Sequence, residues 1–330
     1  MTETRPVPAT AAANRLPVDQ LSFRSAQAAL AAFPTQTTPA AATEQLLPAP
    51  GHVAQPSSRF AVPAGDTAEP TGRAVRRAGV RSLTFERTVA RGLVHRASVA
   101  EVFITDAVEE APDTFLVGAQ WPRAHGFYRH DRAGRHDPMI AIESVRQAGL
   151  FLAHVFYGVP QGAQFIFTEL SYRLLDAAAL TAGSAPAQAV LRVSVAPGGL
   201  RRGVPTALDL DVVIEIDGRP LARLGGGLRC IPRATYEVLR RRVLKADPVR
   251  VGPEDPQRPE LGLATSCPGL ADRSRCDVVL AGPEGGTPAA DGSSSFALRV
   301  DVTHPVLFDH PLDHVPGMLQ IEAVRQAAYA

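Results

Sequence analysis

The sequence predicts an α+β fold made of two copies of one domain, and three observations carry that reading. The first is a motif that occurs twice. His314-Val-Pro-Gly-Met-Leu-Gln-Ile-Glu322-Ala-Val-Arg325-Gln326 stands near the C-terminus, and a degenerate copy, His136-Asp-Pro-Met-Ile-Ala-Ile-Glu143-Ser-Val-Arg146-Gln147, stands upstream. From Met139 and Met318 onward the copies run in register at an offset of 179 residues. His125 and His304 share that offset, while His136 and His314 miss it by one. The period is too long for a solenoid and reads as a duplicated domain. The second observation is one long apolar helix followed by several long alternating strands. The third is composition: 330 residues, 45% hydrophobic, with a net charge of +1, enough for one to three globular domains.

Residues 1–78 are rich in Ala, Pro, Thr and Gln, with prolines from Pro6 to Pro70. Such a segment buries too little apolar surface to offset its chain entropy and reads as a disordered extension. Leu21 to Phe33 is the one stretch in it that could form a short helix. The first domain spans 79–245. Leu83–Phe85 and Thr114–Val117 read as strands, and Val102–Ile104 as strand or docked loop. The charged stretch Gly126–Gly134 is a loop feeding the first helix, from about Pro138 to Tyr157. Asp137 caps that helix, Pro138 suits its first turn, and Gly158 with Pro160 ends it. Glu143, Arg146 and Gln147 fall at i, i+3 and i+4 and so share one face. That face lies among Met139, Ile140, Val145, Leu150 and Phe151, and charges on a helix apolar nearly all round are costly unless paired or used.

Strands follow at 165–175, 189–195 and 208–216. Asp217-Gly218 makes a hairpin turn, and 221–231 returns. Residues 234–245 form a short basic helix with Arg240-Arg-Arg242. It reads as a solvated linker face, the alternative being a docking patch for an acidic carrier protein. Residues 246–270 are a Pro/Gly-rich linker. The second domain, 271–330, has strands at 278–280 and 295–300 and then the second motif, where Pro316-Gly317 opens the helix. The first copy has about 75 residues of strands after its helix and the second has none before Ala330. The second copy is therefore expected to be incomplete as written. A loose segment after about residue 250 follows, unless a second copy or a complementing chain supplies the strands.

The charge balance gives no pointer to nucleic acid, and no apolar run is long enough for a membrane helix. No basic segment followed by an apolar core marks a secretory signal. Cys230, Cys267 and Cys276 are few and widely spaced, which suits a reducing cytoplasm and gives no metal site. No cofactor is implied.

His-x-Pro-Gly-Met-x-x-x-Glu-Ala-x-x-Gln resembles the central-helix motif of the hotdog-fold 3-hydroxyacyl-carrier-protein dehydratases. The closer resemblance is to the A-factor biosynthesis hotdog family, the γ-butyrolactone autoregulator synthases. It rests on Arg135-His-Asp-Pro138 in the first copy and on Asp313-His-Val-Pro-Gly-Met-Leu-Gln-Ile-Glu-Ala-Val-Arg-Gln-Ala327 in the second. Leu93-Val-His-Arg96, Glu101-Val-Phe-Ile-Thr-Asp106 and Phe167-Thr-Glu-Leu-Ser-Tyr172 agree with it. The resemblance covers about residues 80–330. It implies tandem hotdog folds, each an antiparallel sheet wrapped round a central helix, the second truncated. It also implies an acyltransferase that joins a β-ketoacyl chain, carried as a thioester on acyl carrier protein or coenzyme A, to dihydroxyacetone phosphate. The ester would close by intramolecular aldol condensation to a butenolide phosphate.

The residues suit such chemistry. Backbone N–H groups at Gly317 and Met318 would be free at a helix start, as an oxyanion site requires. Glu143 or Glu322 on a buried helix would have a raised pKa and act as general base. Arg146 and Arg325 could grip a phosphate bidentately. His136 and His314 are candidates for acid–base work or for orienting substrate. Two other readings stay open: a different acyl-thioester hotdog enzyme, such as a dehydratase or thioesterase, and a non-enzymatic remnant or half of a split protein. Against the former stands the Arg beside the Glu in both copies, since neither reaction has a phosphate to bind.

Overall fold

The computed structural model describes residues 20–24, 82–246, 275–281, 287–288 and 294–329. The first copy contains β2 (Ile104–Ala111), β3 (Thr114–Trp121), α1 (Pro138–Val155), β4 (Gln164–Leu174), β5 (Ala187–Arg201), β6 (Val204–Ile216) and β7 (Arg219–Ile231). With β1 (Gln20–Arg24) these strands form a seven-stranded antiparallel sheet in the order β1-β4-β7-β6-β5-β3-β2. Asp217 and Gly218 both have positive φ, 51° and 72°, the backbone a two-residue hairpin between right-twisted strands requires.

α1 begins as the sequence predicts. The Asp137 carboxylate accepts the Met139 N–H, and Pro138 takes the first turn, where its missing N–H leaves no orphan donor. The helix packs against β2, β3, β6 and β7. Gly149 allows the closest approach, since a Cβ there would meet Leu210 at 2.8 Å and Leu228 at 2.9 Å. Fourteen of its residues, from Met139 to Ala153, are buried, Glu143 and Gln147 among them.

Two expected elements differ. Leu83–Phe85 is not a strand; the edge strand is β2, whose alternation is masked by Glu109 and Glu110 on its exposed end. Inside the N-terminal extension, Gln20–Arg24 is a strand paired with β4 from Gln20↔Arg173 to Arg24↔Glu169, so neither a helix nor disorder describes those five residues. Backbone pairing to the open edge of β4 outweighs the weak local helix preference there. The rest of 1–78, and the linker from 247 to 270, lie outside the described residues.

α2 (Arg233–Ala246) follows β7, and the second copy then contributes β8 (Leu280–Ala281), β9 (Thr287–Pro288), β10 (Ser294–Ser295), β11 (Ala297–Leu298) and α3 (Gly317–Tyr329). Its described part is not loose. Val279, Val306, Leu307, Phe308, Met318, Leu319 and Ile321 are buried in the same apolar cluster as α1 and its sheet. The first copy thus supplies the partner surface that a hotdog helix needs, and each such burial contributes about 1.5–3 kcal/mol. No helix among the described residues is long and apolar enough to cross a membrane.

Candidate active site

The repeat reappears as a repeated hydrogen-bond frame. Gln147 Oε1 accepts from the Phe103 amide at 2.9 Å, while its Nε2 donates to the Glu101 carbonyl and to Glu143 Oε1, both at 2.7 Å. Gln326 accepts from the Val279 amide at 2.9 Å and donates to the Asp277 carbonyl at 2.8 Å and to Glu322 at 2.7 Å. His125 pairs with Glu101 at 3.4 Å and His304 with Asp277 at 3.3 Å. Each of these imidazoles accepts two backbone amides at Nδ1. Gln147 and Gln326 are therefore structural partners of their helices.

Glu143 is fully buried and accepts from three cationic or polar side chains. Arg146 bonds it through Nε at 2.8 Å and a terminal nitrogen at 2.7 Å, Arg96 through Nε at 3.0 Å, and Gln147 at 2.7 Å. Burial alone would raise its pKa. The Arg146 and Arg96 charges, with the hydrogen bonds from Arg146 and Gln147, override burial and hold it at about 2. The expectation of a raised pKa is therefore corrected. Glu143 is a fixed anion that anchors two guanidinium groups and is a poor base. The same contacts occupy one edge of Arg146, and the same terminal nitrogen donates to the Val94 carbonyl at 3.3 Å, so the expected bidentate grip on phosphate has no free two-donor edge.

The two helix starts differ. At α1, Pro138 has no N–H, the Asp137 carboxylate fills the first turn, and Asp137 also receives Arg325 of α3 in a buried ion pair. Arg325 donates to Glu322 Oε2 at 2.9 Å as well, and these opposite charges raise its pKa further despite burial. At α3, the Leu319 and Gln320 amides turn back to the Pro316 carbonyl. Among the described residues the Gly317 and Met318 N–H groups have no acceptor, and a Cβ on Gly317 would meet nothing within 4 Å.

That open start lies on a cavity of about 790 Å³ between α1, α2 and the loop before α3. The cavity collects Arg146, His314, Gly317 and Met318 of the residues read from the sequence. Glu143 stands behind its wall through Arg96 and Arg146. His136, Glu322 and Arg325 are not among its lining residues. His136 is buried beside Trp121 and His130, and burial followed by the His130 charge pushes its pKa down to about 4. The candidates read from the sequence included none of Arg96, Asp309, His310 and Tyr236. Asp309 joins His310 Nδ1 at 2.6 Å, and Tyr236 donates to Asp313 at 3.0 Å, with Asp313 in turn on His314 Nδ1 at 2.8 Å. Arg96 stood in the quoted motif Leu93-Val-His-Arg96, but nothing local to it points to Glu143.

A long buried helix held in an antiparallel sheet, with a second helix of the same motif packed on the same core, defines a hotdog-fold protein. The chain belongs to the A-factor biosynthesis hotdog domain family, whose model matches residues 79–232 and 273–330. It is 38% identical over 244 residues to a 2-oxo-3-(phosphooxy)propyl 3-oxoalkanoate synthase of Streptomyces virginiae, covering 74% of this chain and 76% of that one. To the synthase of the same name from Streptomyces griseus it is 33% identical over 237 residues, covering 72% and 73%. A solved structure of a conserved protein from Pseudomonas aeruginosa aligns with 43% of this chain and 100% of its own, at 15% identity and a TM-score of 0.31.

Proposed function

We propose that this chain is an acyltransferase that joins a 3-oxoacyl group, delivered as a thioester, to the primary hydroxyl of dihydroxyacetone phosphate. The product named by its relatives is the ester of those two components. Its ketone and activated methylene then close by intramolecular aldol condensation to a butenolide phosphate, the precursor of a γ-butyrolactone signal. The single observation that carries the reading is the open start of α3 on a cavity also walled by Arg96 and Arg146. The Gly317 and Met318 amides would receive the tetrahedral oxyanion, at the positive end of the helix. The Arg146 guanidinium, which lines the cavity, would attract the phosphate as a positive charge, with Glu143 fixing its position. His314, tied to Asp313, would orient substrate at the rim. Ile142, Leu150 and Phe165 line the same cavity and suit the acyl chain. Glu322, Arg325 and His136 take structural parts. The thioester carrier is acyl carrier protein or coenzyme A, and the free thiols of Cys230 and Cys276 fit a cytoplasmic setting.

The test is incubation with a 3-oxoacyl-coenzyme A, with and without dihydroxyacetone phosphate, following free thiol and phosphorylated ester by mass spectrometry. Thiol should appear only with the phosphate, one ester for each thiol. Equal thiol release without it would make the protein a hydrolase.

A further inference from the structure

We infer that His310, oriented by Asp309, is the general base of the acyl transfer proposed above. Asp309 is the more buried carboxylate of the two His–Asp pairs on the cavity, its side chain 3% exposed against 58% for Asp313. It is fixed from the first copy: one oxygen accepts the Ala97 amide at 2.8 Å and the Ser98 amide at 3.5 Å, and the other lies 3.7 Å from Arg96. Such surroundings suit an anion, and an anion can only accept. The 2.6 Å contact therefore places the proton on His310 Nδ1 and leaves the Nε2 lone pair available, the arrangement of a positioned base. His310 itself is 35% exposed and lines the cavity with Gly317 and Met318, so base and oxyanion donors share one space.

The alternatives are weaker. Glu143 is held as an anion by two guanidinium groups. His95 also lines the cavity, but burial and then the His154 charge push its pKa down to about 4, with Arg146 and His310 adding to the shift. His136 lies away from the cavity lining. The charged and titratable groups that line the cavity with His310 are His95, Arg96 and Arg146 from the first copy, Asp309, Asp313 and His314 from its own loop and Glu169 from β4. The Arg233–Glu237 ion pair of α2 lines it too.

The step balances without a further reactant. His310 Nε2 removes the proton of the primary hydroxyl as its oxygen forms a bond to the thioester carbon. The carbonyl electron pair moves to oxygen under the Gly317 and Met318 amides. Collapse re-forms the carbonyl and breaks the C–S bond, and the imidazolium returns its proton to the leaving thiolate. Alcohol and thioester become ester and thiol.

The experiment measures kcat/KM against pH for dihydroxyacetone-phosphate-dependent thiol release. His310→Gln should lose about 10²–10⁴-fold and with it the acid limb of the profile, the range of a removed general base. Its thermal unfolding should match wild type. Asp309→Asn, a change at a positioning residue, should move the acid limb to lower pH, because the imidazolium loses its anion. His314→Gln should keep the acid limb. His310→Gln within tenfold of wild type, acid limb intact, overturns this assignment alone. Wild-type protein that releases no thiol with dihydroxyacetone phosphate overturns the acyl-transfer reading and takes this assignment with it.

Discussion

The starts of α1 and α3 descend from one motif and now do opposite things. Both helices keep Glu, Arg and Gln at i, i+3 and i+4, and both use the Gln to clasp the backbone of the strand or turn beside them. At α1 the first turn is filled from within, by Pro138 and the Asp137 carboxylate, and sealed from outside by Arg325. At α3 the first turn is empty and opens on the cavity. The charged faces differ in the complementary sense. Glu322 and Arg325 point their charge at the sealed start, whereas Glu143 and Arg146, joined by Arg96, stand at the open one. The same motif thus forms a brace between the copies at α1 and an open helix start at α3.

The largest expected effect comes from Glu143→Gln, which should remove both stability and rate. It leaves Arg96 and Arg146 facing each other without their anion, a change of about 3–5 kcal/mol for a broken buried pair. Denaturant unfolding checks the first loss and single-turnover acyl transfer the second. Arg325→Met should lose a comparable 3–5 kcal/mol, because Asp137 and Glu322 are left buried without it. Its folded fraction should keep the wild-type kcat. A fall in kcat with unchanged stability would make the sealed start an active one.

Gly317→Pro gives α3 the start that α1 has. It deletes one amide donor while Pro suits a first helical position, so the unfolding midpoint should hold. The expected loss in kcat is about 10²–10³-fold, that of a missing oxyanion donor. Wild-type turnover in this variant would remove the oxyanion role from the helix start.

The smallest effect is in pH dependence. His95 and His136 both have pKa values lowered from 6.5 to about 4, mainly by burial. Folded protein then binds fewer protons than unfolded chain between those values. Stability should be full above pH 6.5 and decline as pH falls towards 4. Glu143, lowered from 4.5 to about 2, adds a second decline below pH 4.5. His136→Gln should flatten only the first slope in thermal scans at graded pH.

Much of this is legible in the residues alone because it is local. α1 follows from a capping Asp, a first-turn Pro and apolar spacing, and β4 to β7 follow from alternation and the Asp217-Gly218 turn. The contrast between Pro138 and Gly317 is visible in the aligned motifs, as is the pairing of each Glu with its own Arg. The direction of Glu143's pKa is not legible there, because it turns on Arg96, 47 residues away in sequence. The sealing of α1 depends on Asp137 and Arg325, 188 residues apart, and the anchoring of Asp309 on Ala97, 212 residues apart. Which carboxylate is a base, which is a brace and which is an orienter depends on the charges that surround it. Those charges meet only when the two copies close on one core.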